Sequence, residues 1–123
     1  MEKSDKIFIA GHNGLVGSSV HKVLLGKGYR NIITVSSKKL DLRNYSKVEK
    51  YFNKMNIDYM VMAAAKAGGI MANSTNQKDF FLNNIEIQNS LLKLALKKKI
   101  KRVIYLGTSC IYRKYAKTPI TED

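Results

Sequence analysis

A chain of 123 residues with 45% apolar content and a single proline has the size and composition of one folded domain, which excludes a disordered segment. The one cysteine, Cys110, excludes an internal disulfide, and the longest near-apolar stretch, 59–65, is too short to span a bilayer. With the polar start Met1-Glu2-Lys3-Ser4-Asp5-Lys6 this points to a cytoplasmic protein with no membrane partner. The net charge of +13 favours an anionic partner, whether nucleic acid, acidic lipid or a phosphorylated small molecule.

Residues 6–10, KIFIA, predict a buried strand bounded by glycine. Gly11, Gly14 and Gly17 follow at G-x-x-G-x-x-G spacing, and 15–27 predict a helix with Leu15, Val16, Val20, Val23 and Leu24 as its apolar stripe. A strand, a glycine turn and a helix in that order are the context of dinucleotide binding. Gly11 permits the sharp turn, Gly14 lets backbone approach a pyrophosphate, and Gly17 lets the helix pack closely. The N–H groups of the helix start, with the positive end of its dipole, then hold phosphate. Gly11, His12, Asn13, Gly14, Leu15, Val16 and Gly17 are therefore candidate cofactor residues. The alternative is a βα turn without ligand.

The glycine spacing resembles that of the extended short-chain dehydrogenase/reductase family. A second strand is predicted at 31–35, and its end separates the two cofactors. NAD binders place a carboxylate there for the ribose hydroxyl. Here Val35-Ser36-Ser37-Lys38-Lys39 offers hydroxyls and cations, which favours NADP through Ser37, Lys38 and Lys39, the alternative being a solvated turn. Leu40-Asp41-Leu42-Arg43 resembles the element of that family that packs on the adenine and hydrogen-bonds it, with Asp41 and Leu42 as its candidate cofactor residues.

A helix at 46–55, with Val48, Tyr51, Phe52 and Met55 at helical spacing, leads to a third strand at 59–63. Its small-residue end, with Ala64 and Ala65, lets backbone pass close to a cofactor, and 64–77 reads as a loop. A long helix at 79–98, with Phe81, Ile85, Leu92 and Leu96 along one face, precedes a fourth strand at 102–106 ending at Leu106 and Gly107. Lys97, Lys98, Lys99, Lys101 and Arg102 suit the negative end of a helix dipole, and no nucleic-acid signature accompanies them. Alternating strands and helices predict an α/β, Rossmann-type parallel sheet with right-handed helical crossovers, one domain over 1–123.

Three stretches, "FIAGHNGLVGSSV", "AAAKAGGIMAN" and "LGTSCIY", together resemble the GDP-L-fucose synthase family from Ile7 to Pro119. The resemblance implies an NADP-dependent 3,5-epimerase/4-reductase acting on a GDP-sugar, GDP-4-keto-6-deoxy-D-mannose, with a homodimer for the full-length enzyme. It implies that Thr108 hydrogen-bonds the sugar 4-keto group and that Cys110 is the base of epimerisation. A carbonyl acidifies the adjacent C–H, so a nearby thiolate is suited to that proton. Read without the resemblance, Cys110 fits a small buried residue better than a base, and the resemblance reverses that order. The family also uses a Tyr-x-x-x-Lys pair, a later histidine acid and a substrate domain. At the tyrosine offset, Tyr51 is followed by Met55, Tyr112 by Ala116 and Tyr115 by Pro119; Arg113 replaces a frequent proline, and neither His12 nor His21 is placed as the acid. The expectation is the N-terminal portion of such an enzyme, inactive alone; the alternative is a non-catalytic nucleotide-binding module.

Overall fold

The computed structural model describes residues 1–108, 112 and 115–121. Its elements are β1 (Ile7–Ala10), α1 (Leu15–Gly26), β2 (Ile32–Thr34), α2 (Tyr45–Phe52), β3 (Tyr59–Met62), α3 (Ile70–Thr75), α4 (Gln77–Lys97) and β4 (Arg102–Tyr105). The strands form one parallel sheet in the order β2-β1-β3-β4, as the strand–helix alternation predicts. Register aligns Ile7 with both Ile32 and Tyr59, and Tyr59 with Arg102, so all four strands end on one side of the sheet. The chain moves outward from β1 to β2, then returns across β1 to β3. That reversal leaves a crevice above the ends of β1 and β3, where ligands bind in open α/β sheets.

Helices cover both faces of the sheet, which is why every residue of β1 is buried. Phe8, Ala10, Met60 and Met62 alternate onto one face, where Val48 and Phe52 of α2 meet Leu91 and Leu94 of α4. The Phe8 and Phe52 rings lie 4.6 Å apart in a tilted pair. Ile7, Ile9 and Val61 occupy the opposite face, packed by Val20 and Leu24 of α1 and by Tyr29.

The structure corrects three details. The predicted loop at 64–77 contains α3, and Asn73 Nδ2 donates to the carbonyls of Gly68 and Gly69 at its start. In α1 the inward positions are Gly17, Val20 and Leu24; Leu15 is 87% exposed, because a helix that packs through Gly17 turns its first residues away from the sheet. In α4 the predicted face is the outer one, with Phe81 64% and Leu96 81% exposed, while Leu91, Leu94 and Ala95 are buried and Ile87 packs beside them. This helix carries two apolar stripes, and periodicity alone does not say which one the sheet takes.

Lys97, Lys98 and Lys101 of the basic run are tied to the fold, although Lys97 and Lys101 stay exposed. Lys97 pairs with Glu49 of α2 at 2.7 Å, and Lys98 Nζ donates to the Asn53 carbonyl at 2.7 Å. Lys99 ends the helix with φ of 51°, and Lys101 bridges Asp5 and Asp58.

Candidate functional site

Two clefts share the crevice at the strand ends. The first, about 420 Å³, lies on the β2 side. The second, about 450 Å³, lies on the β4 side and is lined by Leu15, Val16, Tyr105, Leu106 and Thr108 among others. Gly14, Ala63, Ala64, Ala65 and Ile87 line both, so the two form one trough with a waist.

Backbone builds that waist. Gly11 has φ of +83°, and a Cβ there would stand 2.6 Å from the Ala64 nitrogen and 2.7 Å from the Ala63 carbonyl. A Cβ on Gly17 would stand 2.1 Å from the Gly11 carbonyl oxygen, so α1 rests directly on the turn. The Gly14 N–H donates to the Gly11 carbonyl at 2.9 Å, and the Gly14 carbonyl accepts from Ser18. Gly14 caps α1 without a side chain, and no acidic residue stands in the first turn. The N–H groups of Leu15, Val16 and Gly17 have no acceptor within the helix, and no acidic side chain of its first turn offsets the dipole there. His12 lies 6.4 Å from His21, ring edge to face, and its Nδ1 is buried without a partner.

The wall of the first cleft combines Val35, Leu40 and Leu42 with Ser36, Ser37, Asp41, Arg43, Lys66 and Asn83. Asp41 Oδ1 accepts from the Arg43 N–H at 3.0 Å and from Nε at 2.9 Å, while Oδ2 accepts from Nη2 at 2.7 Å. These bonds from the Arg43 guanidinium hold the Asp41 carboxyl down at about 2, against partial desolvation that opposes the shift. Nη1 of Arg43 donates to Asn83 of α4, and Asn83 Nδ2 donates to Asp79 Oδ1 at 2.7 Å. Lys66 pairs with Asp79, which lowers that carboxyl also. Asn84 clamps the Lys66 peptide in both directions: its Oδ1 accepts the Lys66 N–H at 2.6 Å and its Nδ2 donates to the Lys66 carbonyl at 3.0 Å. A chain of polar contacts therefore runs from the segment after β2, across α4, to the loop after β3.

The predicted residues divide accordingly. His12, Asn13, Ser37, Asp41, Leu42, Ala64, Ala65, Leu106 and Thr108 line the trough with Gly11 and Gly14, and Gly17 lies buried beneath the turn. Lys38 and Lys39 are exposed and line neither cleft; Lys39 Nζ sits 5.7 Å above the Tyr51 ring. Gly107 follows β4 outside both linings. Cys110 lies outside the described residues. Sequence reading included Arg43 in the adenine-like element without naming it as a site residue, and missed Lys66, Asn83 and Asn84. Arg43 had a local signal, an aspartate two residues before it in a turn. The others meet the cleft only through tertiary packing.

A model of the NAD dependent epimerase/dehydratase family matches residues 7–123. The chain is 43% identical over 123 residues to the putative GDP-L-fucose synthase 2 of Arabidopsis thaliana, covering 100% of this chain and 38% of that protein. It is 37% identical over 118 residues to the GDP-L-fucose synthase of Escherichia coli (strain K12), covering 96% and 37%. Among solved structures it superposes on MlghC, the GDP-mannoheptose C4 reductase from Campylobacter jejuni with NADP bound, with TM-score 0.93 at 30% identity, covering 98% of this chain and 36% of that one. The chain thus spans little more than a third of the length of the curated relatives it matches. On the match of the family model over nearly its whole length, this chain belongs to the NAD dependent epimerase/dehydratase family.

Proposed function

We propose that this chain is the NADP-binding portion of a GDP-sugar epimerase/reductase of the GDP-L-fucose synthase kind, turning GDP-4-keto-6-deoxy-D-mannose into GDP-L-fucose in its full-length form. The observation that carries the reading is the trough whose waist is the Gly11–Gly17 turn against Ala63 and Ala64. A glycine-capped helix start with no acidic residue receives a pyrophosphate, and a cleft on either side receives the two halves of a dinucleotide. The solved GDP-mannoheptose C4 reductase with NADP bound, at 30% identity, supports the choice of cofactor.

Bound NADPH supplies the hydride for reduction of the 4-keto carbon. The chain's own part is to orient that cofactor and to meet the sugar at the β4 end. Thr108 stands in the lining of the second cleft, just past β4, where its hydroxyl donates to the keto oxygen. That oxygen gains negative charge both on enolisation and on hydride transfer, so one donor serves both steps. Cys110, two residues on, takes the proton from carbon beside the ketone. In this reading 1–123 binds cofactor and does not turn over alone.

The test uses the full-length protein, following NADPH consumption that depends on GDP-4-keto-6-deoxy-D-mannose and deuterium uptake from solvent. Thr108→Val slows both by ~10²-fold. Cys110→Ser abolishes deuterium uptake while hydride transfer persists. A full-length protein that binds NADPH but consumes none with this sugar is instead a non-catalytic module.

A further inference from the structure

The base of the dinucleotide has a platform that the glycine motif does not reveal. We propose that Arg43 is the adenine-positioning residue of the first cleft, its guanidinium plane held at both ends so that the purine stacks on it. The inference rests on the dinucleotide reading above and adds a residue that the motif does not contain.

Position comes first. The turn at Gly11 and Gly14 takes the phosphates, and Ser36 and Ser37 at the end of β2 stand beside the ribose. Farther along, Leu40, Leu42, Ile87, Asp41, Asn83 and Arg43 line that cleft, and Lys66, paired with Asp79, lines it as well. It is an apolar slot with one planar cation, which suits a flat heteroaromatic ring.

Hydrogen bonding then decides how the cation is used. Nε–H and one N–H of Nη2 in Arg43 bond Asp41, at 2.9 and 2.7 Å, and one N–H of Nη1 bonds Asn83. An arginine that grips a phosphate does so with the N–H edges of its fork. Here Nε–H and one N–H on each Nη are turned to Asp41 and Asn83, which leaves one N–H on each Nη at the edge and the faces of a plane held at both ends. A guanidinium face stacks on π systems and loses little entropy when its plane is already fixed. The charge is neutralised by Asp41, so the contact favours a neutral base over a phosphate. Asn83 also ties the platform to α4, which fixes the width of the slot between the segment after β2 and Ile87.

Purified protein is titrated with NADPH, NADH, 5′-AMP and reduced nicotinamide mononucleotide, as wild type and variants. Arg43→Ala weakens the three adenine-containing ligands alike, by ~10-fold, the scale of a lost stacking platform. The NADPH/NADH ratio and the affinity for reduced nicotinamide mononucleotide stay as in wild type, which a misfolded variant would not allow. Arg43→Lys does not rescue, because charge without the plane is insufficient. Asn83→Ala gives a smaller loss of the same pattern. The Asp41→Asn/Arg43→Ala double variant shows at least the loss of Arg43→Ala, which separates the platform from simple neutralisation of Asp41. Unchanged affinity in Arg43→Ala overturns the proposal, and so does a loss confined to NADPH, which would make Arg43 a reader of the 2′-phosphate. A wild type that binds NADPH with Arg43→Ala unaffected overturns this inference alone; a wild type that binds none of the four overturns the dinucleotide reading with it.

Discussion

The two ends of the sheet are built from opposite materials. At the end where the strands begin, side chains hold the structure. Lys101 Nζ lies 3.1 Å from Asp5 and 2.9 Å from Asp58, Asp58 accepts the Lys6 N–H at 2.9 Å, and Asp5 accepts the Glu2 N–H at 2.6 Å. This cluster stitches the N-terminal segment and the starts of β1, β3 and β4 together. At the end where the strands finish, backbone comes so close to backbone that Gly11 and Gly17 leave no space for a Cβ. Charged side chains stand beside it in the cleft wall, in the Asp41–Arg43–Asn83–Asp79–Lys66 relay. One end satisfies its charges internally; the other keeps a helix start and a trough for a ligand to satisfy. A parallel sheet makes this division possible, because all strand ends of one kind lie together.

Substitutions that break the comparison rank by how little the structure can give way. Gly17→Ala is the most severe. Its Cβ would stand 2.1 Å from the Gly11 carbonyl oxygen, a backbone atom, and overpacking of this kind costs ~3 kcal/mol or more. Thermal unfolding should show a melting temperature lowered by ten degrees or more on that ledger, about 4 °C or more per kcal/mol, together with lost NADPH binding. A melting temperature within two degrees of wild type, on the same scale, would show that α1 does not rest on the turn.

Next comes the opposite end. Lys101→Met leaves Asp5, which is 8% exposed, and Asp58 without their cation. Stability should fall by several degrees while NADPH affinity is unchanged, since the cluster lies at the far end of the strands. The pH dependence has a definite sign. In the folded protein Asp5 is lowered chiefly by the Glu2 N–H and then by Lys101, and Asp58 chiefly by the Lys6 N–H and then by Lys101. Depressed carboxylates stabilise fully above their unfolded value of about 3.9, and the gain is lost as pH falls through the folded values. The stability difference between wild type and Lys101→Met should therefore be constant near neutrality and narrow below about pH 4. A difference that persists undiminished at pH 2 would remove the cluster from the account.

The smallest effect belongs to Lys38 and Lys39, which line neither cleft. A Lys38→Ala/Lys39→Ala variant should bind NADPH less tightly by ~2–3-fold at low salt and equally at high salt, because solvated charges act at long range and are screened. A tenfold loss that survives high salt would place both lysines on the 2′-phosphate after all.

How much of this was legible in sequence follows the same division. The strand–helix order, the parallel sheet and the glycine turn are local signals, and each element lies within a few residues of its predicted place. The glycine turn was readable because a left-handed φ and a Cβ-free contact leave a residue type in the sequence, namely Gly11 and Gly17. The short helix α3 was hidden because its residues, with Asn73, Ser74 and Thr75 among them, have the composition of a loop and bond back to nearby carbonyls. The inner face of α4 was hidden for another reason. Phe81, Leu92 and Leu96 make as good a stripe as Ile87, Leu91 and Leu94, and only the sheet selects between them. The rim relay was the least legible, since Asn83 and Arg43 are 40 positions apart and only tertiary packing brings them together.

Amide hydrogen exchange with and without saturating NADPH reads both ends of the sheet in one experiment. The account predicts that the cofactor slows exchange in the Gly11–Gly17 turn, in 36–43 and in 63–66, and leaves the amides of Lys6, Asp58 and Lys101 at their unliganded rates. Protection centred on the Lys6, Asp58 and Lys101 end, or none in the glycine turn, would contradict it.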